Sequence, residues 1–229
     1  MGVRMELSIF DVLGPVMIGP SSSHTAGAAK LARMASFLVA EEFDKVIFYL
    51  HGSFAKTYHG HRTDYALAAG VLGLREDDEA LRNSFSNAKE KGISFSFMEA
   101  DLGNVHENSV KIEFYWKDDK KETVVGSSLG GGRIKIFEVN GFSTEISFSS
   151  PTIVIYHWDK KGVIRDISEV LARHEINIAT MKVSRSKRGG SAFCVIETDE
   201  AIPPNIDTEL GKLDHIIRAK SLTLNEGDY

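Results

Sequence analysis

Two short runs gather hydroxyls and imidazoles at spacings that suit acid–base chemistry on a small anionic molecule: Gly19-Pro20-Ser21-Ser22-Ser23-His24-Thr25 and His59-Gly60-His61-Arg62-Thr63-Asp64. The first stands where a helix N-terminus would turn amides and the positive end of its dipole toward a pocket, which suits a carboxylate or phosphate. A single Ser there reads equally well as a helix cap. The hydroxyls of Ser21, Ser22, Ser23 and Thr25 around His24 exceed what one cap requires. In the second run, His61 is placed to serve as a general base near neutral pH, a solvated loop histidine being the other reading. His59, His61 and Asp64 also spell a sparse metal set, but no further fixed ligand accompanies them. Adjacency in sequence defines no Ser-His-Asp triad, since triads are recognised by geometry. Two more pieces carry polar groups at turns: His106-Glu107-Asn108, and Ser127-Ser128-Leu129-Gly130-Gly131-Gly132. The three glycines of the latter allow close backbone approach to a ligand, as they would in a flexible hairpin. The run lacks the Lys-Ser/Thr ending of a phosphate-binding P-loop.

The elements that must position these residues follow from periodicity. An apolar stretch, Ile9 to Ile18, leads into the serine cluster, and the Ala-rich stretch Ala26 to Glu42 behind it predicts a capped helix. Lys45 to His51 reads as a buried strand, Thr63 to Leu74 as a helix, and Asp78 to Lys91 as a third helix. Ile93 to Met98, Val110 to Trp116, Glu122 to Val125 and Arg133 to Val139 favour strands between Asn, Asp and Gly turns. Both reactive runs therefore fall between a strand-like or apolar segment and a helix. His61 is expected beside the first cluster at one sheet edge.

The polar segment Asn140 to Ser150, closed by Pro151, reads as an interdomain linker. Beyond it the expected order is strand Thr152–Trp158, helix Val163–His174, strand Asn177–Ser184, strand Ser191–Thr198, helix Asp207–Ile216 and strand Arg218–Leu224. This βαββαβ order is the ferredoxin-like plan, with Ile164, Ile167, Val170 and Leu171 at helical spacing. Gly162 lets the chain turn tightly into the first of those helices.

Composition limits the partners. With 229 residues, 42% hydrophobic and 26% charged, the chain can bury one large core or two smaller ones. A net charge of −5 supplies no basic field for nucleic acid or anionic membrane, so a small molecule or a protein is the expected partner. The single Cys194 permits no internal disulfide, and neither a leader nor a transmembrane run is read, so a cytoplasmic protein is expected. Cys194 lies between Phe193 and Val195 and reads as a buried structural thiol.

The GPSSSHTAG run, the GSFAKTYHGHRTD run, the HENSV piece and the SSLGGG loop follow one another as in the iron–sulfur-dependent L-serine dehydratases (L-serine ammonia-lyases), and over about residues 5–145 the chain resembles that family's beta domain or separate beta chain, often called an allosteric substrate-binding domain. The resemblance implies an α+β fold: a serine dehydratase beta domain over residues 1–145, then an ACT domain over residues 151–225. It implies His61 as the catalytic base for the α-proton of serine, with His24 beside it. Ser21, Ser22, Ser23, Thr25, Thr63, Asp64, His106, Asn108, Ser127 and Ser128 would line the substrate pocket. No role is expected of Phe54, Lys56, Tyr58 and His59, where this sequence departs from the family pattern. The [4Fe–4S] cluster of the family takes several Cys thiolates, and the resemblance assigns it to a separate alpha chain, leaving this chain with no metal ligand. Activity would then require that partner.

The C-terminal part resembles an ACT domain, a module that binds amino acids. His157-Trp158-Asp159-Lys160-Lys161-Gly162-Val163 and Asn177-Ile178-Ala179 are similar to the serine-binding ACT domain of phosphoglycerate dehydrogenase. That match implies an effector site at His157, Asp159, Gly162 and Asn177, and pairing of two copies through this domain. The rival function is a non-catalytic serine-sensing regulatory protein. A dehydrogenase is disfavoured because no GxGxxG dinucleotide fingerprint is present.

Overall fold

The computed structural model describes residues 17, 19–40 and 42–223. The expected apolar stretch Ile9 to Ile18 lies almost entirely outside these residues, as does Leu224 at the end of the last expected strand. Two compact units divide between Ile136 and Phe137. Both are mixed α and β, which gives the expected α+β class. No helix among the described residues is long and apolar enough to cross a membrane.

The first unit opens with a wide π-type turn, Ser22–Ala26, that runs directly into α1, Gly27–Leu38. Strand β1, Lys45–Leu50, follows, then a short helix α2, Gly52–Thr57, and α3, Thr63–Val71. The third expected helix is split into a 3-10 turn, Glu79–Asn83, and α4, Ser84–Glu90. Strands β2, Ser94–Glu99, β3, Ser109–Tyr115, β4, Lys121–Gly130, and β5, Arg133–Val139, complete it. The strand order is β2-β1-β3-β4-β5, with a sixth strand returning along β5. β1 runs parallel to β2 and antiparallel to β3.

Alternation in β1 buries Val46, Phe48 and Leu50, and strand register puts them on the same sheet face as Gly126 of β4, where α1 packs. α1 approaches β4 where Gly126 leaves room for Leu31, and it approaches α3 at Gly70. A Cβ on Gly70 would stand 2.1 Å from the Ala29 carbonyl oxygen, so a residue with no side chain sets that helix separation. The opposite sheet face carries a polar network on Glu113. Burial alone would raise that carboxyl, but hydrogen bonds from Lys111, Tyr115 and Lys121 outweigh it and hold the group at about 2.

The second unit corrects the expected linker. Residues 142–146 form a strand, β6 (Phe142–Ile146), in which Phe142, Thr144 and Ile146 are buried and Ser143 and Glu145 are exposed. That alternation gives the polar segment a buried side of its own. The rest follows the ferredoxin-like order: β7, Thr152–Trp158, α5, Val163–Arg173, β8, Ile178–Arg185, β9, Ser191–Thr198, α6, Ile206–Gly211, and β10, Ile216–Leu222. The sheet order is β10-β7-β9-β8. One sheet face sets Ile153, Ile155, Cys194 and Ile196 against Ile167, Val170 and Leu171 of α5 and Ile206 and Leu210 of α6. On the other face Phe142 stacks on Phe193 at 6.1 Å, the Asn140 amide donates to the Tyr156 hydroxyl at 3.1 Å, and the Ser184 hydroxyl donates to the Ser143 carbonyl. The segment Asn140 to Ser150 thus covers the second sheet face.

Candidate functional site

The first reactive cluster is built by the turn that opens α1. Ser21 caps it, its hydroxyl accepting the His24 backbone N–H at 3.1 Å, while its carbonyl accepts Thr25 N–H at 2.9 Å and Ala26 N–H at 3.3 Å. Such wide turns recur at functional sites because they displace one residue from the helical path. Here the displaced part carries His24. Its Nδ1 lies 3.1 Å from the Ser23 hydroxyl and 3.5 Å from that of Ser21; its Nε2 lies 3.0 Å from the Ser53 hydroxyl. The Phe54 ring meets the imidazole edge-on at 5.3 Å.

His61 arrives from the turn between α2 and α3. Its ring centroid is 4.8 Å from that of His24, and the Thr25 hydroxyl donates to its carbonyl at 3.3 Å. Burial, and secondarily the neighbouring His61, hold the His24 imidazole below the usual histidine range, so it is neutral at neutral pH. The two runs read as reactive therefore form one half-buried site, with hydroxyls on one side of a neutral imidazole and a second imidazole on the other.

The other expected residues divide into surface and support. Ser127 and Ser128 lie near the end of β4 and are buried. Ser128 donates to the Ser23 carbonyl at 2.9 Å and Ser127 shares a 2.7 Å hydrogen bond with Ser109. A Cβ on Gly27 would stand 1.9 Å from the Ser128 hydroxyl, so the glycine admits β4 this close to the turn. His106 is exposed, and its Nδ1 accepts the Asn108 backbone N–H at 3.1 Å. The Asn108 carbonyl accepts Ser128 N–H at 2.9 Å, which ties that turn to the same strand end. The Asn108 side-chain oxygen is buried without a partner among the described residues. Thr63 is fully buried, its hydroxyl likewise unpartnered, and Asp64 is engaged by its neighbour's amide at 2.9 Å and by His59 Nδ1 at 3.2 Å.

Two residues were not legible as site members. Ser53 follows Gly52 at the head of α2, a helix whose six residues show no periodicity; the Gly-Ser pair directly after an apolar strand was the available signal. Phe54, of which no role was expected, supplies the ring against His24. Behind Thr25 lies a cavity of about 220 Å³ lined by Gly19, Pro20, Thr25, Arg62, Tyr65, Leu81 and Arg82, below the ~300–1,000 Å³ of a drug-sized ligand site.

In the second unit His157 is buried in β7, its Nδ1 2.9 Å from the Trp158 carbonyl oxygen and its Nε2 unpartnered among the described residues. Asp159 accepts the Gly189 amide at 2.9 Å and Arg185 at 3.0 Å, the amide first and the guanidinium second holding its carboxyl below the usual range. Asn177 donates its side-chain amide to Asp199 at 2.6 Å and its backbone N–H to Glu200 at 2.7 Å. Gly162 precedes α5 at φ 95°, a left-handed turn that favours glycine. Of these, His157 keeps a buried ring nitrogen without a partner among the described residues, whereas Asp159 and Asn177 hold the β8–β9 and β9–α6 connections.

The residues of this chain do not fit an iron–sulfur cluster. Cys194 is its single thiol, buried in β9, and burial pushes it up to about 12, far from the thiolate a cluster needs. No group of three His, Cys, Asp or Glu side chains among the described residues could hold a metal ion.

Comparison with known proteins places both units. A family model described as serine dehydratase beta chain matches residues 8–90, and one described as ACT domain matches residues 152–215. The chain is 39% identical to the L-serine dehydratase beta chain of Peptoniphilus asaccharolyticus and 43% identical to the probable L-serine dehydratase beta chain of Bacillus subtilis, each over 94% of this chain and 97% of the relative. It is also 29% identical to D-3-phosphoglycerate dehydrogenase of Bacillus subtilis over 86% of this chain but 37% of that protein, a likeness wider than the C-terminal module alone. Matched over 94% of its length by two such chains, with the GPSSSHT and GHRTD runs folded into one site, this protein belongs to the L-serine dehydratase beta-chain family.

Proposed function

We propose that this chain is the beta subunit of an L-serine ammonia-lyase, converting L-serine to pyruvate and ammonia together with an alpha chain in the cytoplasm. The meeting of His24 and His61 within a ring of hydroxyls carries the reading. His61 takes the α-proton as general base. Loss of the β-hydroxyl then leaves aminoacrylate, which tautomerises to the imine and hydrolyses to pyruvate and ammonia. Ser21, Ser22 and Ser23 receive the substrate carboxylate, Thr25 holds the His61 turn from beneath through its hydroxyl, and the buried, unpartnered Asn108 oxygen is an acceptor for the substrate ammonium. His106 lies at the rim, whereas Thr63, Asp64, Ser127 and Ser128 hold the site from beneath. A [4Fe–4S] cluster, which in this reading the alpha chain would hold and this chain would not, would supply Lewis-acid chemistry toward the β-hydroxyl. The domains we assign are residues 1–145 for this half-site and 151–225 for regulation.

Cluster location tests the division of labour. Purified anaerobically and supplied with iron and sulfide, the complex with a Cys-bearing alpha chain should show cluster absorbance and bound iron; this chain alone should show neither. A cluster on the isolated chain contradicts the proposal.

The ACT domain is assigned an amino-acid effector site around His157, Asp159, Gly162 and Asn177, supported by the His157 Nε2, which is buried without a partner among the described residues. It is also assigned the pairing of two copies of the chain, so that an effector biases the catalytic unit by about 1–3 kcal/mol. Calorimetry of the full chain against the twenty amino acids should detect binding that His157→Ala abolishes. Absence of binding by all of them would reduce the domain to a dimerisation device.

A further inference from the structure

We infer that Ser53 is a positioning residue of this site: its hydroxyl, 3.0 Å from His24 Nε2, sets the orientation of that ring beside His61 and covers the nitrogen from water. The catalytic consequence rests on the assignment of His61 as base; the hydrogen-bond geometry stands in this chain alone.

Both nitrogens of His24 meet hydroxyls, Nδ1 that of Ser23 at 3.1 Å and Nε2 that of Ser53 at 3.0 Å. A neutral imidazole has one donor and one acceptor, so one serine must accept and the other donate. The two hydroxyls are not equivalent. That of Ser23 lies 3.4 Å from the Ser21 hydroxyl, within a mutually adjustable pair. That of Ser53 has His24 as its hydrogen-bond partner among the described residues, and its backbone is pinned: Ser53 N–H donates to the Glu107 carbonyl at 2.9 Å, and its own carbonyl accepts the Thr57 hydroxyl at 2.8 Å. The Phe54 ring edge restrains the imidazole from the same helix. Ser53 is thus the fixed point against which the ring is set.

The surroundings offer no counter-charge to replace it. Among the described residues, His61 is the titratable side chain that bears on His24. β4 presents the Ser128 hydroxyl toward the turn, α2 presents Ser53 and Phe54, and at the start of α3 Asp64 is taken up by His59. A charged His24 would oppose protonation of the ring 4.8 Å away, which is the event that proton abstraction requires. Ser53→Ala opens Nε2 to water, relieves the desolvation that keeps the ring neutral, and so raises the pH at which His24 charges.

Histidine-ring NMR on the full chain reads this without any partner. In Ser53→Ala the His24 midpoint should rise by about half a pH unit or more, with a changed ring-nitrogen tautomer pattern, whereas Ser53→Thr, which keeps the hydroxyl, should match the parent. In the complex with the alpha chain, Ser53→Ala should lower kcat/KM by about ten- to a hundredfold and move the acid limb of its pH profile upward, with rescue by Ser53→Thr. An unchanged midpoint and tautomer pattern in Ser53→Ala overturns the inference whatever the assay shows. A pH-independent loss of activity with no movement of the limb also overturns it, since a structural role predicts that. Absence of dehydration by the parent complex, with the NMR shift present, refutes the functional reading and upholds the positioning role.

Discussion

His61→Ala should lower kcat of the assembled enzyme by about a hundredfold or more, because positioned general bases contribute on that scale. Folding and assembly should be preserved. His61 is half-buried, and the tie that fixes its position uses the backbone: the Thr25 hydroxyl donates to its carbonyl, a contact that alanine retains. His59 is the internal control. It stands two residues away with its side chain 76% exposed, paired at 3.2 Å with Asp64. Asp64 is buried but keeps the hydrogen bond from the Tyr65 amide at 2.9 Å when the exposed ring is removed, and one lost hydrogen bond costs about 1 kcal/mol, so His59→Ala should be mild. Steady-state pyruvate formation, with circular dichroism and gel filtration of both variants, decides between them. Equal, small effects would make His61 a surface loop residue.

The second large effect falls on a residue with no side chain. Gly70→Ala gains up to about 1 kcal/mol of helix propensity within α3. Against that, the new methyl would sit 2.1 Å from the Ala29 carbonyl oxygen, 2.8 Å from the Ala32 Cβ and 2.9 Å from the Arg33 amide nitrogen. Two of these three are backbone atoms, so α1 and α3 must separate rather than repack. Overpacking of this kind costs about 1–3 kcal/mol, and overlap this close belongs at the upper end, so the clash wins. Thermal unfolding should shift down by several degrees. Activity should fall further than stability does, because α1 continues from the turn bearing His24 and α3 from the turn bearing His61. Gly211→Ala at the end of α6, with open space around it, should leave both unchanged.

How far the fold was legible depended on whether burial and propensity agreed. In the ACT unit they do: β7 and β9 run over the residues expected, since Ile153, Ile155, Cys194 and Ile196 are apolar and fully buried. In the first unit they part. Strand β4 extends to Gly130 through Ser127 and Ser128, which read as the start of a glycine-rich loop but lie in the sheet, with Ser128 close against Gly27 of α1. β6 escaped notice because its buried positions, Phe142, Thr144 and Ile146, alternate within a polar stretch. The neighbourhood of His24 and His61 was expected from their shared place between strand and helix. Ser53 was not, because α2 is too short to announce itself and the hydroxyl's significance lies in a contact across 29 positions of sequence.

In the proposed enzyme this chain brings the base and a partner brings the cluster to one reaction. The most direct measurement is pyruvate formation from L-serine under anaerobic conditions by this chain, by the Cys-bearing alpha chain, and by the two together. Turnover by the complex, with each chain inactive alone, is the predicted result. Robust turnover by either chain by itself would contradict it.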